Sequence, residues 1–86
     1  MKPSDLTLNQ RRLLIILVER SNRGLREVDL KDFGSVGGMK HLIRKGAVMV
    51  TRTLRGERGG EYPQILPTRE GLRVADYIVV NRLKTY

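Results

Sequence analysis

In Ala47-Val48-Met49-Val50-Thr51-Arg52-Thr53-Leu54-Arg55-Gly56-Glu57-Arg58-Gly59-Gly60-Glu61-Tyr62-Pro63-Gln64-Ile65-Leu66 the apolar pattern changes from that of helices to that of strands. Ala47 to Leu54 is rich in Val and Thr, whose branched side chains suit a pleated strand. Gly56 to Gly60 is polar and glycine-rich, and reads as a turn. Tyr62 to Leu66 reads as the returning strand. Two strands joined by such a tip make a β-hairpin, placed at 47–66. Pro63 has no amide proton to donate, so its strand is expected at a sheet edge or in irregular pairing.

On either side of the hairpin the apolar period is that of helices. Thr7-Leu8-Asn9-Gln10 has the spacing of a capping box, which starts a helix over 8–20. Leu13, Leu14, Ile16, Leu17 and Val18 make it apolar over more than one face, and Ser21-Asn22-Arg23-Gly24 ends it. A second, short helix is expected over 26–33, with Leu25, Val28, Leu30 and Phe33 as its apolar members. Gly34 closes it, and Ser35 is the candidate N-cap of a third helix over 36–45. Met39, Leu42 and Ile43 form the inward side of that helix, and Gly46 after Arg44 and Lys45 is a strong stop. Beyond the hairpin, Thr68 is the candidate N-cap of a last helix over 69–83, and Glu70 suits the positive end of its dipole. Leu72, Ala75, Val79 and Leu83 lie along one face of it. Val74, Tyr77, Ile78 and Val80 widen the apolar arc until it needs cover on more than one side. A second copy of the chain is one such cover, with Leu72, Ala75, Ile78, Val79 and Leu83 as its candidate contacts. The expected fold class is α+β, one domain over 1–86, in the order helix, helix, helix, hairpin, helix.

Charge points to the partner. Seventeen Lys and Arg stand against nine Asp and Glu, a formal charge of +8 on 86 residues. A field of that size attracts polyanions, nucleic acid first and an anionic membrane surface as the rival. The 12 Arg outnumber the 5 Lys, and Arg makes the bidentate contacts to phosphate and guanine that Lys does not. From Gly34 to Gly56 there is no acid at all. Lys40 and Arg44 are four apart on the third helix and share a face, His41 and Lys45 share the adjoining one, and the apolar residues lie opposite. A helix that buries one side and offers a basic one suits the major groove. Arg52, Arg55 and Arg58 decorate the hairpin, where a basic tip reaches phosphate or a minor groove. Arg11, Arg12, Arg20, Arg23 and Arg26 are further cations for which a solvated face is the simpler reading. Tyr62 could stack on a base, but its simpler reading is to pin the hairpin to the core.

Other classes lose support from composition. There is no cysteine, hence no disulfide and no thiolate metal site, and His41 alone makes too few ligands for a catalytic metal. No metal and no cofactor are expected. No nucleophile–base pair is apparent, and Asp29 and Asp32, three apart, read as a solvated surface. Neither a phosphate-binding loop nor a dinucleotide fingerprint occurs. Little spare chain remains for the pocket of a small-molecule effector. No apolar run approaches the roughly 20 residues of a membrane span, and the polar start lacks a signal peptide's apolar stretch. A cytoplasmic, nucleoid-associated, non-enzymatic protein is the expectation.

Two segments carry a resemblance. Met39-Lys40-His41-Leu42-Ile43-Arg44-Lys45-Gly46-Ala47-Val48 resembles the end of the recognition helix entering the wing in MarR-like and compact archaeal winged-helix transcription regulators. Ile65-Leu66-Pro67-Thr68-Arg69-Glu70-Gly71 resembles the return strand and the Leu-Thr-x-x-Gly entry to their last helix, with Pro67 where a leucine is common. The likeness runs from Leu8 to Leu83. It implies a winged helix-turn-helix that binds double-stranded DNA as a homodimeric transcription regulator. Helix 36–45 would lie in the major groove and wing 54–60 on the backbone or minor groove. Ser35, Lys40, His41, Arg44, Lys45, Arg52, Arg55 and Arg58 are the candidate DNA contacts. Winged helices also serve as protein-interaction or RNA-binding modules, and a nucleoid-type architectural protein would use the same charges with little sequence preference.

Overall fold

The structure, a computed structural model, describes residues 1–33 and 36–85. The chain is α+β. Its helices are α1 (Leu8–Arg20), α2 (Val36–Arg44) and α3 (Arg69–Val80), and its strands are β1 (Val28–Asp29), β2 (Val48–Arg55) and β3 (Glu61–Pro67). Single 3-10 turns occupy Pro3–Asp5 and Leu30–Asp32. The strands form one antiparallel sheet in the order β1-β3-β2. Among the described residues no helix is long and apolar enough to cross a membrane.

Local signals start α1 and α3 as expected. The Thr7 side chain accepts from the Gln10 amide at 3.1 Å, and the Gln10 side chain accepts from the Thr7 amide at 3.1 Å. Thr68 caps α3 by accepting from the Gly71 amide at 3.0 Å. Three helix ends share one device, in which the second residue past the helix adopts a left-handed turn and two amides reach back. In α1 the Asn22 and Arg23 amides bond Glu19 and Val18 carbonyls at 3.1 and 2.8 Å. In α2 the Gly46 and Ala47 amides bond Ile43 and Leu42 at 3.1 and 3.0 Å, and in α3 the Arg82 and Leu83 amides bond Val79 and Ile78 at 3.2 and 3.0 Å. The turning residues Asn22, Gly46 and Arg82 have φ of 50°, 83° and 52°. This device stops the last helix at Val80 rather than 83, and α2 at Arg44 rather than 45.

The second expected helix, 26–33, is absent. Val28 and Asp29 pair instead with Ile65 and Gln64 of β3, and a 3-10 turn follows. The Asp29 carboxylate accepts from the Lys31 amide at 2.9 Å, which holds the chain in that short turn. Val28, Leu30 and Phe33 are all buried, so the apolar spacing is met by a strand and a turn in succession. β3 is the central strand rather than an edge one, and the other branch of the expectation holds instead, since its pairing with β2 is irregular between Val50 and Arg52. Pro63 sits past the end of its pairing with β1, where only Thr53 of β2 stands opposite.

The core gathers Leu14 and Leu17 of α1, Met39 and Leu42 of α2, Val48 and Ile65 of the sheet, and Val74 and Ile78 of α3. α1 packs against both α2 and α3 and against β3. The start of α3 is tied to the start of β2: the Thr68 amide donates to the Ala47 carbonyl at 2.9 Å and its hydroxyl to the Gly46 carbonyl at 2.6 Å. Gly71 lies so close to that Ala47 carbonyl that a Cβ there would overlap it.

Candidate nucleic-acid interface

α2 divides as its spacing requires. Met39 and Leu42 are buried, Ile43 is half-buried, and Lys40, His41 and Arg44 are exposed. Among the described residues neither Lys40 nor Arg44 has an ion pair. Two positions of the first turn of α2, Gly37 and Gly38, offer only backbone. Gly37 is exposed with open space where a Cβ would be, and Gly38 is half-buried. Ser35 lies outside the described residues.

Lys45 departs from the expectation. Its ammonium donates to the Asp5 carbonyl at 2.6 Å and to the Gln10 side-chain oxygen at 3.0 Å. It therefore fastens the end of α2 to the N-terminal turn and to α1. Its reach is thereby committed within the chain.

The hairpin is asymmetric. Seven residues of each strand pair, and the register shifts between Val50 and Arg52, leaving Thr51 as an extra residue. The Thr51 hydroxyl donates to the Gln64 carbonyl at 3.3 Å across this bulge. Paired residues share a face of a sheet. Val48 and Val50, opposite Pro67 and Ile65, lie on the helix-bearing face, and past the bulge that face continues through Thr53 and Arg55. Arg52 and Leu54 turn to the other face, opposite Gln64 and Tyr62. There Arg52 meets Glu27 at 2.9 Å. Arg52 is thus paired within the chain, although an exposed pair of this kind is worth little and can exchange for phosphate.

Arg55 stands directly across from Glu61, without a salt bridge to it, and Arg58 is exposed in the tip beside Glu57. The wing is therefore less purely basic than its three arginines suggest. Its shape is well defined: the Gly56 amide donates to the Gly60 carbonyl at 2.8 Å, and the Gly59 amide to Gly56 at 3.0 Å. The Tyr62 ring lies over Gly56, close enough that a Cβ there would come within 2.7 Å of it, and the Lys31 ammonium stands 4.4 Å from the ring centre. Tyr62 thus holds the tip rather than the core. Lys31 was not singled out by its sequence context; it enters only because the 3-10 turn runs alongside β3.

The remaining arginines mostly serve the fold. Arg11 donates to the Pro3 and Lys84 carbonyls at 3.0 and 3.1 Å. Arg20 donates to the Asp32 carbonyl at 3.2 Å and lies 5.1 Å from the Phe33 ring centre. Arg23 grips Asp76 with two bonds of 3.0 and 2.8 Å, joining the end of α1 to α3. Hydrogen bonding from Arg23 holds the Asp76 carboxyl below its ordinary value. On the same helix, hydrogen bonding from Arg73 lowers Glu70. Among the described residues no three His, Asp or Glu cluster as metal ligands would.

The face proposed for dimerisation is partly interior. Ala75 is 2% and Ile78 1% exposed, both within this chain's own core, and Leu72 and Leu83 are half-buried against it. Of the five residues only Val79 is exposed. The helix buries its Gly71–Ala75–Ile78 line against α1 and the start of β2, which the wide apolar arc alone did not reveal. No family model, no curated protein and no solved structure matches this chain.

Proposed function

We propose that this chain is a winged-helix protein that binds double-stranded DNA and acts as a transcription regulator. The observation that carries the reading is the exposed side of α2. Lys40, His41 and Arg44 sit there with no acid between Phe33 and Gly56 in the sequence, and neither Lys40 nor Arg44 has an ion pair among the described residues. The order of elements supports it: a helix, a short strand, a 3-10 turn in place of a second helix, the basic helix, then a hairpin whose strands complete a β1-β3-β2 sheet. In this reading α2 lies in the major groove and Arg55 and Arg58 follow the backbone or enter the minor groove. Lys45 and Arg52 take a lesser part, the first as a clasp and the second as a cation shared with Glu27.

Phosphate neutralisation releases counterions, so duplex affinity should fall steeply with salt. Fluorescence anisotropy of a labelled duplex across a salt series tests this. Lys40→Ala with Arg44→Ala should weaken binding and flatten the slope by about one for each phosphate contact removed. A salt-independent affinity, or single-stranded RNA binding more tightly than duplex, would overturn the reading.

One observation favours a second reading of the same surface, as an architectural protein with little sequence preference. Two positions in the first turn of α2, where a recognition helix reads base edges, are Gly37 and Gly38, which bring no side chain to read with. Selection of bound duplexes from a random pool separates the two, since an architectural protein enriches no motif.

A further inference from the structure

We infer that Tyr62, backed by Lys31, is the positioning residue of the wing: its ring holds the tip in the shape that presents Arg55 and Arg58 to a duplex. The inference rests on the DNA-binding proposal and deepens it. β1 pairs only with Ile65 and Gln64, so from Pro63 to the tip the hairpin is a two-stranded ribbon. Such a ribbon is at best marginally stable by itself, and this one ends in a glycine-rich turn. Cations carried on a loose ribbon must be ordered at the moment of binding, and that ordering weakens affinity.

Tyr62 supplies the missing support. Its Cε2 lies 2.7 Å from where a Cβ of Gly56 would stand, and its hydroxyl oxygen 3.3 Å from where a Cβ of Gly60 would stand. The ring therefore lies against both ends of the turn, over the two residues joined by the 2.8 Å bond from the Gly56 amide to the Gly60 carbonyl. The Lys31 ammonium, 4.4 Å from the ring centre, holds the ring by attraction to its π face. Lys31 belongs to the 3-10 turn Leu30–Asp32, which packs beside β3 and leads into α2. One line of contacts thus runs from the wing tip, through the ring, to the segment that precedes the basic helix. Arg55 lies on the opposite sheet face from Tyr62, because Arg55 pairs with Glu61 and Tyr62 with Leu54. The ring braces the backbone and leaves the Arg55 guanidinium free to reach phosphate.

Amide relaxation of the free protein and duplex anisotropy together provide the test. In the wild type the amides from Gly56 to Gly60 should have order parameters close to the value of about 0.85 for a rigid backbone. In Tyr62→Ala they should fall below about 0.6, with those of α2 unchanged. Lys31→Met, which leaves the ring itself in place, should loosen the tip in the same measurement. Tyr62→Ala should weaken duplex binding about threefold to tenfold, the cost of ordering one or two long side chains on binding. Tyr62→Phe keeps the ring and should restore both tip order and affinity. Arg58→Ala should cost less affinity in the Tyr62→Ala background than in the wild type, whereas Lys40→Ala should cost the same in both; a general loss of stability would not separate the two. A wild-type tip already below about 0.6, a Tyr62→Ala tip as ordered as the wild type, or additive losses at Tyr62 and Arg58 would each overturn the inference. A wild type that binds no duplex sinks the DNA-binding proposal instead, and is told apart because the contrast in tip order persists.

Discussion

Gly71→Ala and Gly37→Ala are the same substitution in two helices, and the structure requires them to move stability in opposite directions. Alanine is favoured over glycine within a helix by about 0.5–1 kcal/mol. At Gly37 nothing lies within 4 Å of the new Cβ, so that preference should appear as a gain. At Gly71 the Cβ would overlap the Ala47 carbonyl oxygen and come within 3.0 Å of its carbon. The neighbour is backbone, so no side chain can rotate away. Relief requires the first turn of α3 to lift from the start of β2, and overpacking of this kind costs about 1–3 kcal/mol. The lift also stretches the 2.9 Å bond from the Thr68 amide to Ala47 and the 2.6 Å bond from its hydroxyl to Gly46. Weakening one such bond costs about 1 kcal/mol. Set against the helix preference, the net loss at Gly71 is about 2 kcal/mol, or roughly 10 °C in melting temperature for a domain of this size. Thermal melts followed by circular dichroism, with urea titration to check the slope, measure both variants. A Gly71→Ala protein that melts at or above the wild type would refute the close approach of α3 to β2.

Three further outcomes follow from particular contacts. Asp76 and Glu70 have lowered values in the folded chain, so the folded state holds its protons less tightly than the unfolded one. Their stabilisation is complete above the ordinary carboxylate range and lost as pH falls through the folded values. Melting temperature should therefore drop on acidification, and Asp76→Asn should remove part of that dependence, melting somewhat below the wild type at neutral pH and converging on it in acid. Lys45→Ala should lower stability by about 1 kcal/mol through its lost bonds to Asp5 and Gln10, yet weaken duplex binding less than Lys40→Ala or Arg44→Ala; melting and anisotropy on the three proteins decide it. Arg82 occupies a left-handed turn at φ 52°. Arg82→Gly should relieve about 1–2 kcal/mol of backbone strain, less about 0.5–1 kcal/mol for the greater freedom of glycine in the unfolded chain, seen as a melting temperature a few degrees higher.

Much of the fold was legible because the signals that make it are local. Thr7 with Gln10, Thr68 with Gly71, and Gly46 act within four residues of themselves, and each does in the structure what its spacing implies. The glycine-rich tip is equally local. β1 was misread as helix because two residues have no period. Val28 and Asp29 become a strand only when Ile65 and Gln64, far along the chain, come alongside. The same distance in sequence hid the partners of the site residues. Nothing near Lys45 announces Asp5 and Gln10, and nothing near Arg52 announces Glu27. Glu61 opposite Arg55 is different, since counting outward from the turn finds it. The interior side of α3 was obscured by composition, for Val74, Val79 and Val80 look alike in the sequence, although the first is core and the other two are surface.

The bulge at Thr51 gives the hairpin one position where chain length is free. Every residue of β2 except Thr51 has a partner on β3. A chain without Thr51 would close into a regular ladder and keep all of those pairings, with each arginine on its present face. Loss of any one residue between Arg52 and Arg55 would instead re-register the strand, moving side chains from one face to the other. An alignment of related chains that vary in length here should therefore place its gap at Thr51, where a deletion leaves the distribution of charge on the ribbon intact.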